Sequence, residues 1–181
     1  MTFTLEPAAL YAIQLNSLIM KATFDVKNEW FFYDGAHSGA NSLEQNLSNT
    51  WLYDNFVAVS ENREIFAYFE GQWQRPVDII NRFRTIHFGD KYTYMAVKSF
   101  FAYLDYIFIN RGCKAFNWVV AHQNTHAMEQ YERFIQKYCG HRVGVRHHAQ
   151  KSYTGKISDI TLYEIIQEEF LDWKGRKYKK K

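Results

Sequence analysis

The sequence contains little cysteine and little proline. Two residues of each type occur among 181, and the cysteines, Cys113 and Cys139, stand in no C-x-x-C spacing. This usage excludes a disulfide framework and fits a reduced, cytoplasmic setting. No run of 18 apolar residues and no basic segment followed by an apolar block is present, so neither a membrane span nor a signal peptide is predicted. Histidine and cysteine show no zinc-type spacing, and we assign no metal.

An excess of positive charge is absent outside the C-terminus. The formal net charge is +3, and residues 174–181 carry six positive charges, so the rest of the chain is slightly acidic. We therefore expect no polyanion-binding surface on the body of the protein and a solvated basic tail at residues 171–181. Hydrophobic and aromatic residues are abundant, at 47% and 18%. A single domain is predicted, with a helical part at 1–55 and a core at 56–170.

The first 55 residues carry two helical patterns. A helix is expected to begin near Pro7, with apolar residues following at helical spacing, although a short strand at residues 3–5 stays open. The S-x-x-Q phrase at residues 42–45 is typical of a capping box. It predicts a second helix with Leu47 and Trp51 on one face.

From residue 56 the apolar pattern changes to period two. Strands are predicted at residues 56–60, 65–70 and 78–88, with turns at 61–63 and 74–76. The helical period returns over residues 93–110, and Gly112 is expected to end that helix. A continuous apolar strand at 115–121, a helix from Asn124 to Gly140 and strands at 142–148 and 158–166, joined by a turn at 154–156, complete the chain.

This order of elements indicates an α/β (α+β) fold. A strand, a helix and a strand joined by a short loop favour a parallel pair, whereas the first three strands form an antiparallel meander. We therefore predict a mixed central sheet with helices on both faces.

Four phrases in the C-terminal half resemble the GNAT acyltransferase family. YLDYIFINRGCK at 103–114 looks like a family helix ending in "LLDYAFEELGLHR". NTHAMEQYE at 124–132 is similar to "N-x-x-S-x-x-x-Y-E", with Ala127 in place of the serine. GHRVGVR at 140–146 resembles "GF-x-x-x-G-x-x-R", and KISDITL at 156–162 resembles "Y-x-D-x-V-L-Y". The likeness is greatest to the branch that acetylates protein N-termini, ribosomal proteins or small amines.

The resemblance implies a GNAT fold, acetyl-CoA as the acyl donor and a primary amine as the acceptor. Tyr131 takes the family position that protonates the departing CoA thiolate, and Asn124 helps to organise the cofactor end of the site. A helix N-terminus is a good pyrophosphate site because its N–H groups lack partners. The expected cofactor-binding residues are therefore Phe88, Gly89, Lys91, Tyr92, Thr93, Tyr94, Asn124, Ala127 and Arg133, with Lys137 as a further phosphate contact.

The amine must lose a proton, and the candidate bases are His87, near the end of the third strand, and Glu70, at the end of the second. A backbone N–H between Thr85 and Phe88 is expected to polarise the thioester carbonyl. Without the resemblance, Tyr131 and His87 would be expected to have only structural roles.

Alternative functions stay open. In place of the family's Q/R-x-x-G-x-G/A phrase the chain has FGDKYTY at residues 88–94, with a single glycine. This departure favours a GNAT-like module that binds a partner without catalysis. The basic tail leaves open an acceptor amine on a charged transfer RNA. The sequence leaves the acceptor, a homodimer and the position of the first strand undecided.

Overall fold

The computed structural model describes residues 2–23, 47–89, 93–152 and 154–179. Its strands are β1 Phe3–Pro7, β2 Tyr53–Ser60, β3 Ile65–Gln74, β4 Ile79–His87, β5 Ala115–Ala121, β6 His141–Lys151 and β7 Ile157–Ile166. Its α-helices are α1 Ala12–Thr23, α2 Thr93–Asp105, α3 Thr125–Lys137 and α4 Gln167–Lys179. A 3-10 turn at Ala8–Tyr11 precedes α1, and a π-helical turn at Tyr106–Asn110 continues α2.

The seven strands form one mixed sheet in the order β1-β2-β3-β4-β5-β7-β6. Strands β1 to β4 pair antiparallel, β4 pairs parallel to β5, and β7 pairs antiparallel to both β5 and β6. The prediction of an antiparallel meander followed by a parallel pair is confirmed. The bounds of β5 match the predicted ones, whereas β2, β3 and β6 are longer than predicted.

Side chains alternate between the two faces of the sheet, and each face carries its own core. On one face, which we call the α2–α3 face, Phe69 and Phe116 pack against Phe100 and Tyr103 of α2. The opposite face, the α1 face, carries a smaller core. Its buried members are Ala8, Tyr11, Leu15, Ile19, Leu47, Val57, Val59, Ile65, Tyr68 and Ile86. Helices on both faces were predicted, and this is confirmed.

The N-terminal predictions need correction. Residues 3–7 form β1, paired with Phe56–Ser60 of β2, so the chain begins with an edge strand and α1 starts only at Ala12. Residues 42–46 of the predicted second helix lie outside the described residues. Residues 47–52 are not helical, because the Thr50 hydroxyl accepts the N–H groups of Leu52 and Tyr53 in a turn. Leu47 is buried and Trp51 is exposed, so they do not share a buried face.

The C-terminal prediction also needs correction. Residues 171–179, expected to be a solvated tail, belong to α4. This helix is held by aromatic contacts, because Phe170 stacks on Phe108 and Trp173 stacks on Phe101, with ring centroids 4.9 Å apart in both pairs. The run of positive charges favoured a solvated tail in the sequence, whereas in the structure the segment is part of an amphipathic helix. No helix in the described ranges is long and apolar enough to cross a membrane.

Gly71 in β3 permits a close approach between the sheet and α2. A Cβ atom at this position would overlap the hydroxyl oxygen of Tyr103, which is buried and has no hydrogen-bond partner in the described structure. Gly71→Ala is therefore expected to cost about 1–3 kcal/mol by overpacking. In a chain of this size that lowers the melting temperature by roughly 3–10 °C.

Gly144→Ala in β6 is the matched control, because no atom lies within 4 Å of the Cβ it would add. The Gly71→Ala loss should shrink when Tyr103→Phe removes the opposing oxygen. Equal thermal losses from Gly71→Ala and Gly144→Ala would contradict this account.

Candidate functional site

Strands β4 and β5 pair only at their first residues. Ile79 lies opposite Ala115 and Ile80 lies opposite Phe116, and the register ends there although both strands continue. The cause lies in β4, where Asn81 is an extra residue opposite the bond between Gln72 and Trp73. Such a bulge bends a strand and increases its twist. The later parts of the two strands therefore diverge, and we call the opening the β4–β5 gap.

The peptide groups of β4 alternate between β3 and the gap. The N–H of Phe88 donates to the carbonyl of Phe66 at 2.9 Å, which fixes the register of the antiparallel pair. Because the direction reverses at every residue, Phe83, Thr85 and His87 present their N–H and C=O groups to the gap. Of the N–H groups between Thr85 and Phe88, those of Thr85 and His87 are thus directed into the gap, whereas that of Phe88 is used by β3.

The same reasoning applies to β5. The N–H of His122 donates to the carbonyl of Asp159 at 2.9 Å, so even-numbered residues direct their peptide groups to β7. Asn117, Val119 and Ala121 direct theirs to the gap. Within the part of the chain that the structure describes, two strand edges thus face each other without pairing. Such edges can hydrogen-bond an extended chain that carries amide groups.

Aromatic rings close the bottom of the gap on the α2–α3 face. The rings of Phe83 on β4 and Phe116 on β5 lie 4.6 Å apart, so the two strands still touch at this level. The next inward side chain of β5 is Trp118, whose ring lies 5.3 Å from Tyr131 on α3. Val119, on the opposite face of the same central strand, is 40% exposed. Strand β5 is therefore accessible to solvent on the α1 face at Val119.

Tyr131 lies where the sequence predicted, on the helix that covers β5. Its ring packs against Trp118 and Tyr163, and its hydroxyl makes no hydrogen bond with any described residue. Desolvation raises the pKa of Tyr131 well above its ordinary value. The hydroxyl is therefore protonated at neutral pH and is able to donate a proton or a hydrogen bond.

His87 lies at the end of β4, beside the gap. It is opposite Ala67 of β3 and therefore lies on the α2–α3 face, as Tyr131 does. Its Nε2 lies 3.5 Å from the Thr85 hydroxyl. The side chain reaches solvent, yet desolvation by the surrounding protein lowers the pKa of His87. The neutral imidazole, which can accept a proton, is thus favoured near pH 7.

Glu70 lies on the α1 face, away from His87. It is three residues from Ala67 along β3, so its side chain leaves the opposite face of the sheet. Its carboxylate lies 3.5 Å from the Arg84 guanidinium and 3.3 Å from the Tyr68 hydroxyl. The structure therefore does not bring the two candidate bases together.

The predicted pyrophosphate loop is described only at its ends. Lys91 and Tyr92 lie outside the described residues, and of Thr93 only the backbone, as the first residue of α2, is described. Phe88 packs against the core of the α1 face, and Gly89 has a φ of 78°, which glycine adopts without strain. Tyr94 is exposed, with Lys98 over its ring.

Asn124 and Ala127 form the N-terminal cap of α3. The Asn124 side-chain oxygen accepts the N–H of Ala127 at 3.1 Å, so the predicted helix start is confirmed. Arg133 is exposed and pairs with Glu129 one turn earlier, and Lys137 lies over the Tyr138 ring. No group of three or more potential metal ligands occurs among the described residues.

Sequence reasoning missed the β4–β5 gap and the residues Trp118, Tyr163 and Glu132. The gap depends on a one-residue difference in register between β3 and β4, which strand periodicity does not reveal. Trp118 and Tyr163 resemble ordinary core residues in the sequence. Glu132 follows Tyr131 directly, and its place in the phrase at 124–132 was the one available signal.

No protein-family model and no curated protein matches the chain. Solved structures do resemble it. A spermidine N-acetyltransferase from Vibrio cholerae, in complex with CoA and spermine, has a TM-score of 0.71 at 16% identity, over 93% of this chain and 98% of that one. A spermidine/spermine N-acetyltransferase from the same organism, in complex with manganese ions, has a TM-score of 0.68 at 16% identity, over 94% and 95%. The chain thus has the GNAT fold that its motifs led us to expect.

We expect His87 to titrate below about 6.5, the ordinary value for histidine, in an NMR pH titration. Its desolvated imidazole binds a proton less readily in the folded state than in the unfolded chain. The wild type should therefore lose stability relative to His87→Gln as pH falls through the unfolded-state pKa toward the folded-state one. The signal that disappears in His87→Gln assigns the His87 resonance. A titration midpoint of His87 at or above about 6.5 would contradict the prediction.

Proposed function

We propose that this GNAT-fold protein transfers an acetyl group from acetyl-CoA to a primary amine. The observation that carries the proposal is the pair of unpaired strand edges that face each other beside Tyr131. Support comes from the similar spermidine N-acetyltransferase, which was solved with CoA and spermine. The acyl donor is a substrate whose pantetheine arm is an extended chain with two amide groups.

The peptide groups of the gap would hold the pantetheine arm. Thr85 and His87 on one side, and Asn117 and Val119 on the other, direct both donors and acceptors into it. An amide-bearing chain between these edges would satisfy groups that otherwise need water. Phe83 and Phe116 limit how deep it can lie.

The diphosphate would lie at the start of α2. Unpaired N–H groups and the positive end of the helix dipole favour an anion there. Gly89 lets the backbone turn into the helix, and Lys91, outside the described residues, would add positive charge. Arg133 and Lys137 are solvent-facing and would contribute at most to the nucleotide end.

The residues around the gap supply the chemistry of acyl transfer. The amine nitrogen forms a bond to the thioester carbonyl carbon, and the carbon–sulfur bond breaks. The N–H of Thr85 or His87 stabilises the developing negative charge on the carbonyl oxygen. His87 accepts the proton that the amine loses, and Tyr131 gives its proton to the departing thiolate. Glu70, on the α1 face, is the second candidate base.

A binding-only module is the second candidate function. The observation that favours it is the single glycine in residues 88–94, where the family phrase has a glycine and, two residues later, a glycine or alanine. Forcing a non-glycine residue into a left-handed conformation costs roughly 1–2 kcal/mol, or about tenfold in affinity. Weaker binding of acetyl-CoA is thus expected from this loop alone. Binding of acetyl-CoA and its turnover together separate the two functions.

Acetyl-CoA is expected to bind and to stabilise the protein. At about 100 times Kd a native-state ligand adds about 2.7 kcal/mol, which raises the melting temperature by roughly 5–10 °C. Tyr131→Phe should keep this binding, measured by calorimetry, and lower kcat by about 10²–10⁴-fold, the usual contribution of a general acid. Tyr138→Phe, the same chemical change at the far end of α3, is the matched control.

The outcomes separate the candidate functions. Binding without turnover against a panel of primary amines, including polyamines and peptide N-termini, would favour the binding-only module. No binding of acetyl-CoA would remove the acetyltransferase and leave the binding-only module, whose ligand would be a partner protein. Loss of the acidic limb of the pH–rate profile in His87→Gln would identify the base, whereas its persistence would direct the search to Glu70.

A further inference from the structure

One polar contact joins α3 to the sheet. The Tyr163 hydroxyl of β7 donates to the Glu132 carboxylate at 2.8 Å and lies 3.6 Å from the Met128 sulfur. Among the described residues, these are the only hydrogen bonds between a side chain of α3 and a strand. Met128 and Glu132 are one helical turn apart, so the contact is made at one turn of the helix.

That turn carries Tyr131. The residue precedes Glu132, and its ring lies 6.0 Å from the Tyr163 ring. Trp118 lies between the strands and the helix, stacked on Tyr163 at 5.3 Å with an interplanar angle of 15°, and 5.3 Å from Tyr131. Tyr163 therefore contacts both neighbours of Tyr131. Its ring stacks on Trp118, and its hydroxyl donates to Glu132.

The other contacts that α3 makes with the described strands and with α2 are apolar. Phe134 packs on Phe100 and Phe101, with ring centroids 5.4 and 5.5 Å apart. Apolar burial is non-directional and tolerates a small rotation or slide, whereas a hydrogen bond requires a defined distance and angle. The bond between Tyr163 and Glu132 is thus the contact that sets the rotation and axial position of the helix.

We propose that Tyr163, acting through Glu132, is the positioning residue for Tyr131 in the acetyl transfer. This inference rests on the proposed function, in which Tyr131 protonates the leaving thiolate. The expected effect on the rate follows from geometry, since a displacement of 1 Å at a reacting group can cost about 10²-fold in rate. Tyr163 itself touches neither substrate.

Steady-state kinetics of four variants tests the proposal. Tyr163→Phe keeps the ring stacked on Trp118 and removes the hydroxyl, and should lower kcat by about tenfold or more without changing KM for acetyl-CoA. Glu132→Ala should lower kcat similarly, while Glu132→Gln retains an acceptor oxygen and should stay near wild type. Tyr138→Phe, outside the contact, should leave kcat unchanged.

The decisive comparison repeats Tyr163→Phe in a Tyr131→Phe background. If Tyr163 acts only through the Tyr131 hydroxyl, the second substitution should lower kcat no further. An equal loss in both backgrounds, or an unchanged kcat in the Tyr163→Phe single variant, would overturn the positioning role. Circular dichroism melting checks that each variant folds, and Glu132→Ala, at a half-buried helix position, carries the test should Tyr163→Phe fail to fold.

Failure of this inference differs from failure of the proposed function. A wild-type protein that turns over acetyl-CoA and loses activity in Tyr131→Phe keeps the function, even where Tyr163→Phe has an independent effect. A wild-type protein without turnover removes the function and the positioning role with it.

Discussion

The bulge at Asn81 is the constraint on which the rest of the structure depends. Before this residue β4 pairs with strands on both sides, and after it β4 pairs only with β3. A sheet that continued its hydrogen bonds from β4 to β5 would have no internal opening. The extra residue breaks the ladder in the middle of the sheet, where β4 stays paired with β3 and β5 stays paired with β7.

Aromatic packing compensates for the lost pairing between β4 and β5. Phe83 loses its strand partner in β5, yet its ring contacts Phe69, Phe100, Tyr103 and Phe116. Ring packing of this kind holds the two halves of the sheet together below the gap, so the strands can diverge above it. Among the described residues the peptide groups above the rings have no strand partner, so they need water or a ligand, which the proposed acyl donor would supply.

Helices α2 and α3 are connected to the two strands that border the β4–β5 gap. Helix α2 follows β4 in the chain, while α3 covers β5 and brings Tyr131 to the α2–α3 face. The α1 face stays open at Val119, in a strand that elsewhere is well buried. An acyl donor and an acceptor could therefore approach the reacting atoms from different faces of one sheet.

The sequence predicted the local features and missed those that depend on register. The bounds of β5, the Asn124 cap and the left-handed Gly112 and Gly140 follow from local patterns. Strand β1 forms because β2 offers an edge to pair with, and α4 forms because Phe170 and Trp173 find aromatic partners. Neither partner is near in the chain, so a window of local sequence cannot reveal them. Tyr131 lies on the predicted helix. Glu70 and His87, predicted as alternative bases, lie on opposite faces of the sheet because strand side chains alternate.

Residue-resolved amide hydrogen exchange, with and without acetyl-CoA, tests the central claim most directly. The claim is that alternate peptide groups of β4 and β5 bind the acyl donor. It predicts slower exchange at Thr85, His87 and Asn117 on addition of acetyl-CoA, with Arg84 and Ile86, whose N–H groups are directed to β3, unchanged. No protection at the first three amides at saturating acetyl-CoA, or equal protection of both sets, would contradict it.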